Sequence, residues 1–303
     1  MSENRPIEPP NETAGILFAS SAYAMWGFFP LYWDMLSYVP PFELSVHRMA
    51  WCAIFAVAVC AARGRLAAIF KVMRTRRLLL ALSVSSVLIA ANWTIYIYSV
   101  AEARIVEAAL GYYITPLLSI ALGVFTLGEK LSKLRLAAIV LAGVAVAVKA
   151  FGLGYVPWIA VSLALTFGFY GYVRKLTPVA ALDGLAIETA LLFPATMGLI
   201  IFWAVTGTGV FPSPHFSTNS LLLLAGPVTA IPLALFAAGA RRVRMSTLGF
   251  LQYLSPSITL AVATLVMGEP FTRADAATFG CVWLALILVA VDGRMRLLAR
   301  AEA

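Results

Sequence analysis

The sequence predicts an all-α integral membrane protein: ten transmembrane helices forming two inverted-topology repeats of five, with both termini cytoplasmic. Three observations predict it: an apolar excess too large for a soluble core, a one-sided distribution of basic residues, and an internal repeat with an odd number of spans. Of the 303 residues, 62% are hydrophobic and 12% charged, against roughly 45–50% and about 25% in soluble domains. A mean hydropathy of +0.91 assigns the excess to lipid. That excludes a soluble enzyme, a disordered scaffold and a secreted disulfide domain. Cys52, Cys60 and Cys281 lie inside apolar runs, so neither a disulfide framework nor a metal cluster is indicated.

A helix needs about 20 apolar residues to cross the hydrocarbon. Ten such runs occur, the first five near Ala14–Trp33, Phe42–Ala62, Leu78–Val100, Ala108–Gly128 and Leu134–Ala150. The second five lie near Val156–Val173, Leu185–Val205, Asn219–Ala240, Thr247–Gly268 and Ala274–Val291. The head, MSENRPIEPPNET, is polar with one arginine. It lacks the basic start of a signal peptide, so the first span is expected to be retained.

Numbering the connections alternately places 18 of the 22 Lys and Arg on one side, six of them between Arg63 and Arg77. The other side holds only Arg104, Lys149 and Arg273, and Arg48 falls inside a span. This is a strong positive-inside signal. The net charge of +8 is therefore topological, and no nucleic-acid partner is expected. The 63–77 connection is basic and partly amphipathic, suited to the anionic inner leaflet.

The segment AALGYYITPLLSIALGVFTLGE (108–129) resembles LGFLQYLSPSITLAVATLVMGE (248–269) at an offset of 140. Tyr113 matches Tyr253, Pro116 matches Pro256, and Gly128-Glu129 match Gly268-Glu269. A weaker echo at 144 joins Tyr23, Trp26 and Gly27 to Phe167, Tyr170 and Gly171. The unit is five spans, dividing the chain into 1–150 and 151–303. Five is odd, so the second copy enters the membrane from the opposite side. Such inverted halves enclose the substrate sites of secondary transporters.

Further segments carry a resemblance: WGFFPLYW (26–33), HRMAW (47–51), NW (92–93), GPVTAIPLALFAAGARR (226–242) and STLGFLQYLSPSITLAVATLVMGEP (246–270). With 107–129 they resemble the drug/metabolite transporter superfamily, with two EamA-type halves, and within it the RarD-like permeases. The resemblance implies a ten-helix bacterial inner-membrane permease exporting small metabolites. The superfamily includes exporters of aromatic and other amino acids, and RarD-type members are named for chloramphenicol sensitivity. The substrate does not follow from it.

Substrate-site candidates come from polar residues in the spans. Tyr112, Thr115 and Ser119 share one helical face, and their repeat mates Gln252, Ser255 and Thr259 are again polar. The two stripes are expected to converge on a central cavity, although small hydroxyls also serve as packing glue. Pro116 and Pro256 are expected to interrupt these helices and to permit bending. Asn92, with Trp93 and Tyr96, offers an amide and aromatic surface, the amide equally suited to a helix–helix bond. Trp26 and Tyr170 sit deeper than an interfacial belt and suit a cavity wall.

Ionisable residues inside a membrane default to function. His47, Arg48 and Glu188 are the gating or coupling candidates. Arg48 and Glu188 are repeat mates, but opposite entry directions place them in opposite leaflets and argue against a direct pair. Arg48 then snorkels outward or meets Glu43 or Glu107, and Glu188 meets Arg174, Arg241 or Arg242. Both also remain open to gating or to a substrate carboxylate. His47, a proton carrier by its ordinary pKa, reads equally as structural.

GVFTLGEK (123–130) has Glu where a P-loop needs Lys, and no catalytic triad or metal-ligand spacing appears. No enzyme activity, cofactor or obligatory protein partner is expected. The expectation is an alternating-access exporter of small amphipathic metabolites, foremost neutral or aromatic amino acids. Efflux of neutral drug-like compounds, a membrane-embedded lipid enzyme and a channel are the rivals.

Overall fold

The computed structural model describes residues 12–127, 133–153, 156–240, 242 and 251–301. Gly128-Glu129, Arg241 and the start of the ninth run lie outside them, as do the side chains of Pro116 and Ser119. The described residues are mostly helical, and no strand occurs among them. The elements are α1 (Glu12–Gly27), α2 (Phe29–Asp34), α3 (Pro41–Ala62), α4 (Leu66–Arg74), α5 (Arg76–Ala101) and α6 (Ile105–Leu127). There follow α7 (Lys133–Leu153), α8 (Trp158–Leu176), α9 (Ala181–Thr206), α10 (Phe216–Ala240), α11 (Leu254–Ala261) and α12 (Arg273–Ala301).

Among the described residues, five helical stretches are long and apolar enough to cross a membrane unaided: Thr13–Asp34, Pro41–Ala62, Arg76–Ala101, Ala181–Thr206 and Phe216–Phe236. Leu17, Val87 and Val205 are among many large apolar side chains on the outer surface. In a water-soluble fold they would form an aggregating patch; against lipid they are solvated.

Local sequence sets the helix ends. Pro41 opens α3, where its missing N–H costs nothing, and Gly207 closes α9 in the left-handed region at φ 67°. The first run was expected as one helix but breaks at Phe28 (φ −88°, ψ 0°). Pro30, which has no N–H, lies just beyond. Gly27 permits close approach here: a Cβ would sit 2.5 Å from Ile258 Cβ on α11.

The two prolines behave differently from expectation. α6 runs through Pro116 without a break; removal of one donor is tolerated inside a packed helix. Pro256 occupies the first turn of α11, where a missing N–H is harmless. The ninth run is interrupted elsewhere, by a turn at Gln252–Tyr253 and a π-helical stretch at Val262–Val266.

Packing is pairwise. α3 lies on α9, α6 on α11 and α7 on α12. α8 is flanked by α5 and α6, and α1 by α10 and α11; α3 also meets α10, and α9 meets α5. Glu43 at the start of α3 accepts from the Val210 amide beyond α9 (2.6 Å). Asp183 at the start of α9 pairs with Arg65 beyond α3. Each helix thus begins where the other ends, so α3 and α9 are antiparallel. Tyr113 of α6 stacks on Tyr253, centroids 6.5 Å apart and planes at 13°, and its hydroxyl bonds Ser257 at 2.6 Å.

Candidate functional site

Arg48 lies two turns into α3 and is 4% exposed. Its Nε donates to Thr229 Oγ1 of α10 at 3.1 Å. The guanidinium carbon stands 4.5 Å from the Trp93 ring centroid, 4.8 Å from Trp33 and 5.7 Å from Phe29. Aromatic faces carry negative quadrupole charge and offset part of the cost of burying the cation. α2, α3, α5 and α10 thus build an aromatic nest around one positive charge.

The expected partners of Arg48 are engaged elsewhere. Glu43 binds the Val210 amide and lies 3.9 Å from His47 Nε2. Glu107 pairs with Arg104 (2.5 Å) and accepts from the Ile159 amide at 3.0 Å. Arg48 does not snorkel outward either. Among the described residues no carboxylate lies within ion-pairing distance of it, and its Nη1 has no hydrogen-bond partner. Trp33 Nε1, in the ring beneath it, is likewise unpartnered.

The polar residues beside the nest divide into two kinds. Asn92 is spent on helix packing: its Nδ2 donates to Leu163 O (3.1 Å) and Thr166 Oγ1 (3.0 Å), and its Oδ1 accepts from Tyr112 at 3.2 Å. Thr115 donates to Gly111 O of its own helix, and Thr259 to Gly27 O at 3.3 Å. Tyr96 is more open, its buried hydroxyl near Thr259 but outside good hydrogen-bond geometry. Its ring meets Tyr112 edge-on at 5.8 Å. Gln252, in the turn before α11, and Ser255, in its first turn, are half-buried. Trp26 packs on Tyr23 and Phe236 and makes no ring contact with Arg48 among the described residues.

Glu188 forms a second, separate centre. It is fully buried on α9, accepts from Ser85 (2.6 Å) and Tyr170 (3.3 Å), and lies 3.5 Å from Arg174 Nε. Arg174 fits because Gly184 has no side chain; a Cβ there would collide with the guanidinium. Arg174 keeps one unpartnered nitrogen, Nη1, but has its counter-charge. Arg174 was one of three partners expected for Glu188. His47 accepts from Trp51 Nε1 at 3.1 Å and meets Phe211 edge-on, a packed position.

Phe29 and Trp33 lie in the WGFFPLYW segment and Thr229 in the Pro-flanked GPVTAIP segment, but nothing in the sequence alone points them towards Arg48.

Residues 13–150 match the EamA-like transporter family. An uncharacterized transporter of Vibrio cholerae serotype O1 is 40% identical over 279 residues, covering 92% of each chain. Protein RarD of Escherichia coli (strain K12) is 37% identical, covering 92% of this chain and 94% of its own. A crystal structure 20% identical in sequence superposes with a TM-score of 0.60 over 93% of this chain and 98% of its own, which shows a shared fold. The chain belongs to the EamA-like transporter family, alongside the proteins named RarD.

Proposed function

We propose that this protein is a secondary transporter of the bacterial inner membrane that exports small amphipathic metabolites, foremost neutral and aromatic amino acids. It works by alternating access between two inverted five-helix halves, 1–150 and 151–303. The observation that carries this reading is the exchange symmetry of the packing. Swapping each helix for its repeat mate turns the α5–α8 contact into α10–α1, α6–α8 into α11–α1, and α10–α3 into α5–α9. The pairs α3–α9, α6–α11 and α7–α12 map onto themselves. Tyr113 and Tyr253, also mates, touch each other, as residues on such an axis would. Antiparallel mates α3 and α9 are what an inverted repeat requires, and the 18-to-3 split of basic residues supports cytoplasmic termini.

The Arg48 nest supplies the chemistry for an aromatic or aliphatic substrate with a carboxylate, flanked by Tyr112, Tyr96 and the α11 stripe. Glu188 and Arg174, tying α5, α8 and α9 together, belong to a gate. Counterflow in proteoliposomes tests the reading, with purified protein preloaded with unlabelled amino acids and challenged with labelled phenylalanine, threonine or methionine. Saturable exchange is expected. Its absence in folded protein withdraws the amino-acid substrates and leaves the second reading, efflux of neutral drug-like compounds, which the aromatic lining favours and which is indifferent to Arg48.

A further inference from the structure

The two halves treat one position differently. Arg48 and Glu188 are repeat mates at an offset of 140, each seven residues into its helix. Glu188 has its counter-charge from Arg174 on α8. Along the 144 offset relating the first and sixth runs, the position equivalent to Arg174 is Pro30. The fold therefore supplies an ion pair in one half and leaves the matching charge in the other without one. Burying a lone cation is costly; rings at 4.5, 4.8 and 5.7 Å offset only part of that cost.

We infer that Arg48 is the anchor of a binding site for an external monocarboxylate with an apolar, preferably aryl, body, and that the substrate's ammonium is dispensable. This rests on the transport reading above and narrows its substrate class. The carboxylate takes the place of the missing counter-ion: unpartnered Arg48 Nη1 donates to one oxygen, and Trp33 Nε1 is a second donor beside it. Trp93, Phe29 and Tyr96 receive the body. An ammonium finds no matching site, because among the described residues the nearby carboxylates are consumed. Glu43 serves the Val210 amide, Glu107 serves Arg104 and the Ile159 amide, and Glu188 serves Arg174. The site thus reads the acid group and leaves the α-amino group unrecognised.

The test is binding and exchange of labelled 3-phenylpropionate, with phenylalanine and phenethylamine as competitors, on the purified full chain and on Arg48→Gln and Arg48→Lys. 3-Phenylpropionate is expected to bind saturably and to be displaced by phenylalanine. Tenfold higher phenethylamine should leave it bound. Arg48→Gln should lose at least tenfold in affinity while keeping its detergent melting temperature, and Arg48→Lys should recover part of the loss. Should Arg48→Gln fail to fold, the competition pattern and Arg48→Lys carry the test. Displacement by phenethylamine as effective as by phenylalanine, or undiminished affinity in Arg48→Gln, overturns the inference. Exchange of phenylalanine without 3-phenylpropionate also overturns it and leaves amino-acid transport standing. Exchange of 3-phenylpropionate without phenylalanine upholds it and removes the amino acids. Failure of both aromatic acids in folded protein overturns both.

Discussion

On the proposed repeat, Arg48 and Glu188 occupy matching positions, and their environments solve the same problem in opposite ways. Around Glu188 the fold is complete: a guanidinium, two hydroxyls and a glycine that makes room for them. Around Arg48 it supplies rings, one threonine and no charge of opposite sign among the described residues. The difference teaches that two positions matched by the proposed repeat do not need matching electrostatics. One position is closed by an ion pair, and the other keeps an open valence, which the proposed ligand fills.

The sharpest way to break the comparison is to open the closed site. Glu188→Gln leaves Arg174 buried without its partner, and we expect a loss of about 3 kcal/mol, measured as a large fall in detergent melting temperature. Adding Arg174→Gln should restore most of it. An unchanged melting temperature in the single variant would erase the distinction. Gly184→Ala drives a methyl group into the Arg174 guanidinium and should cost about 1–3 kcal/mol, relieved when Arg174 is also shortened. Asn92→Ala removes bonds from α5 to α8 and α6 and should cost about 1–2 kcal/mol. Exchange kinetics should then change less than stability, since the amide is already spent on packing. Arg48→Gln is expected to have the smallest effect on stability, neutral or slightly favourable, because it removes an uncompensated charge. A melting temperature lowered as far as in Glu188→Gln would make Arg48 a structural residue.

Much of the helical framework was legible because its signals are periodic and additive. The runs, their bounding charges and the 140-residue offset are visible without contacts. The break at Phe28 was not, since Gly27 and Pro30 sit in an unbroken apolar run that reads as a single span. The pairing of Glu188 with Arg174 was foreseeable from proximity across one short connection. The surroundings of Arg48 were not, because Trp33 and Thr229 reach it from helices that only packing brings together. Asn92 shows the converse limit: a membrane amide looks the same in sequence whether it meets a substrate or a neighbouring carbonyl. The stripe was likewise uneven, with Thr115 bonding its own helix and Tyr112 crossing to Asn92.

On the proposed alternating-access reading, the stacked pair Tyr113 and Tyr253 has a thermodynamic consequence. In a carrier whose halves exchange roles, two like residues on the axis trade places with each other and meet equivalent surroundings in both end states. Their contact therefore cancels from the free-energy difference between inward-open and outward-open forms. Arg48 and Glu188 do not cancel, since exchange replaces a lone cation by a neutralised pair. The resting bias of such a carrier is written where its two copies stopped matching, and the shared interface contributes rigidity without preference.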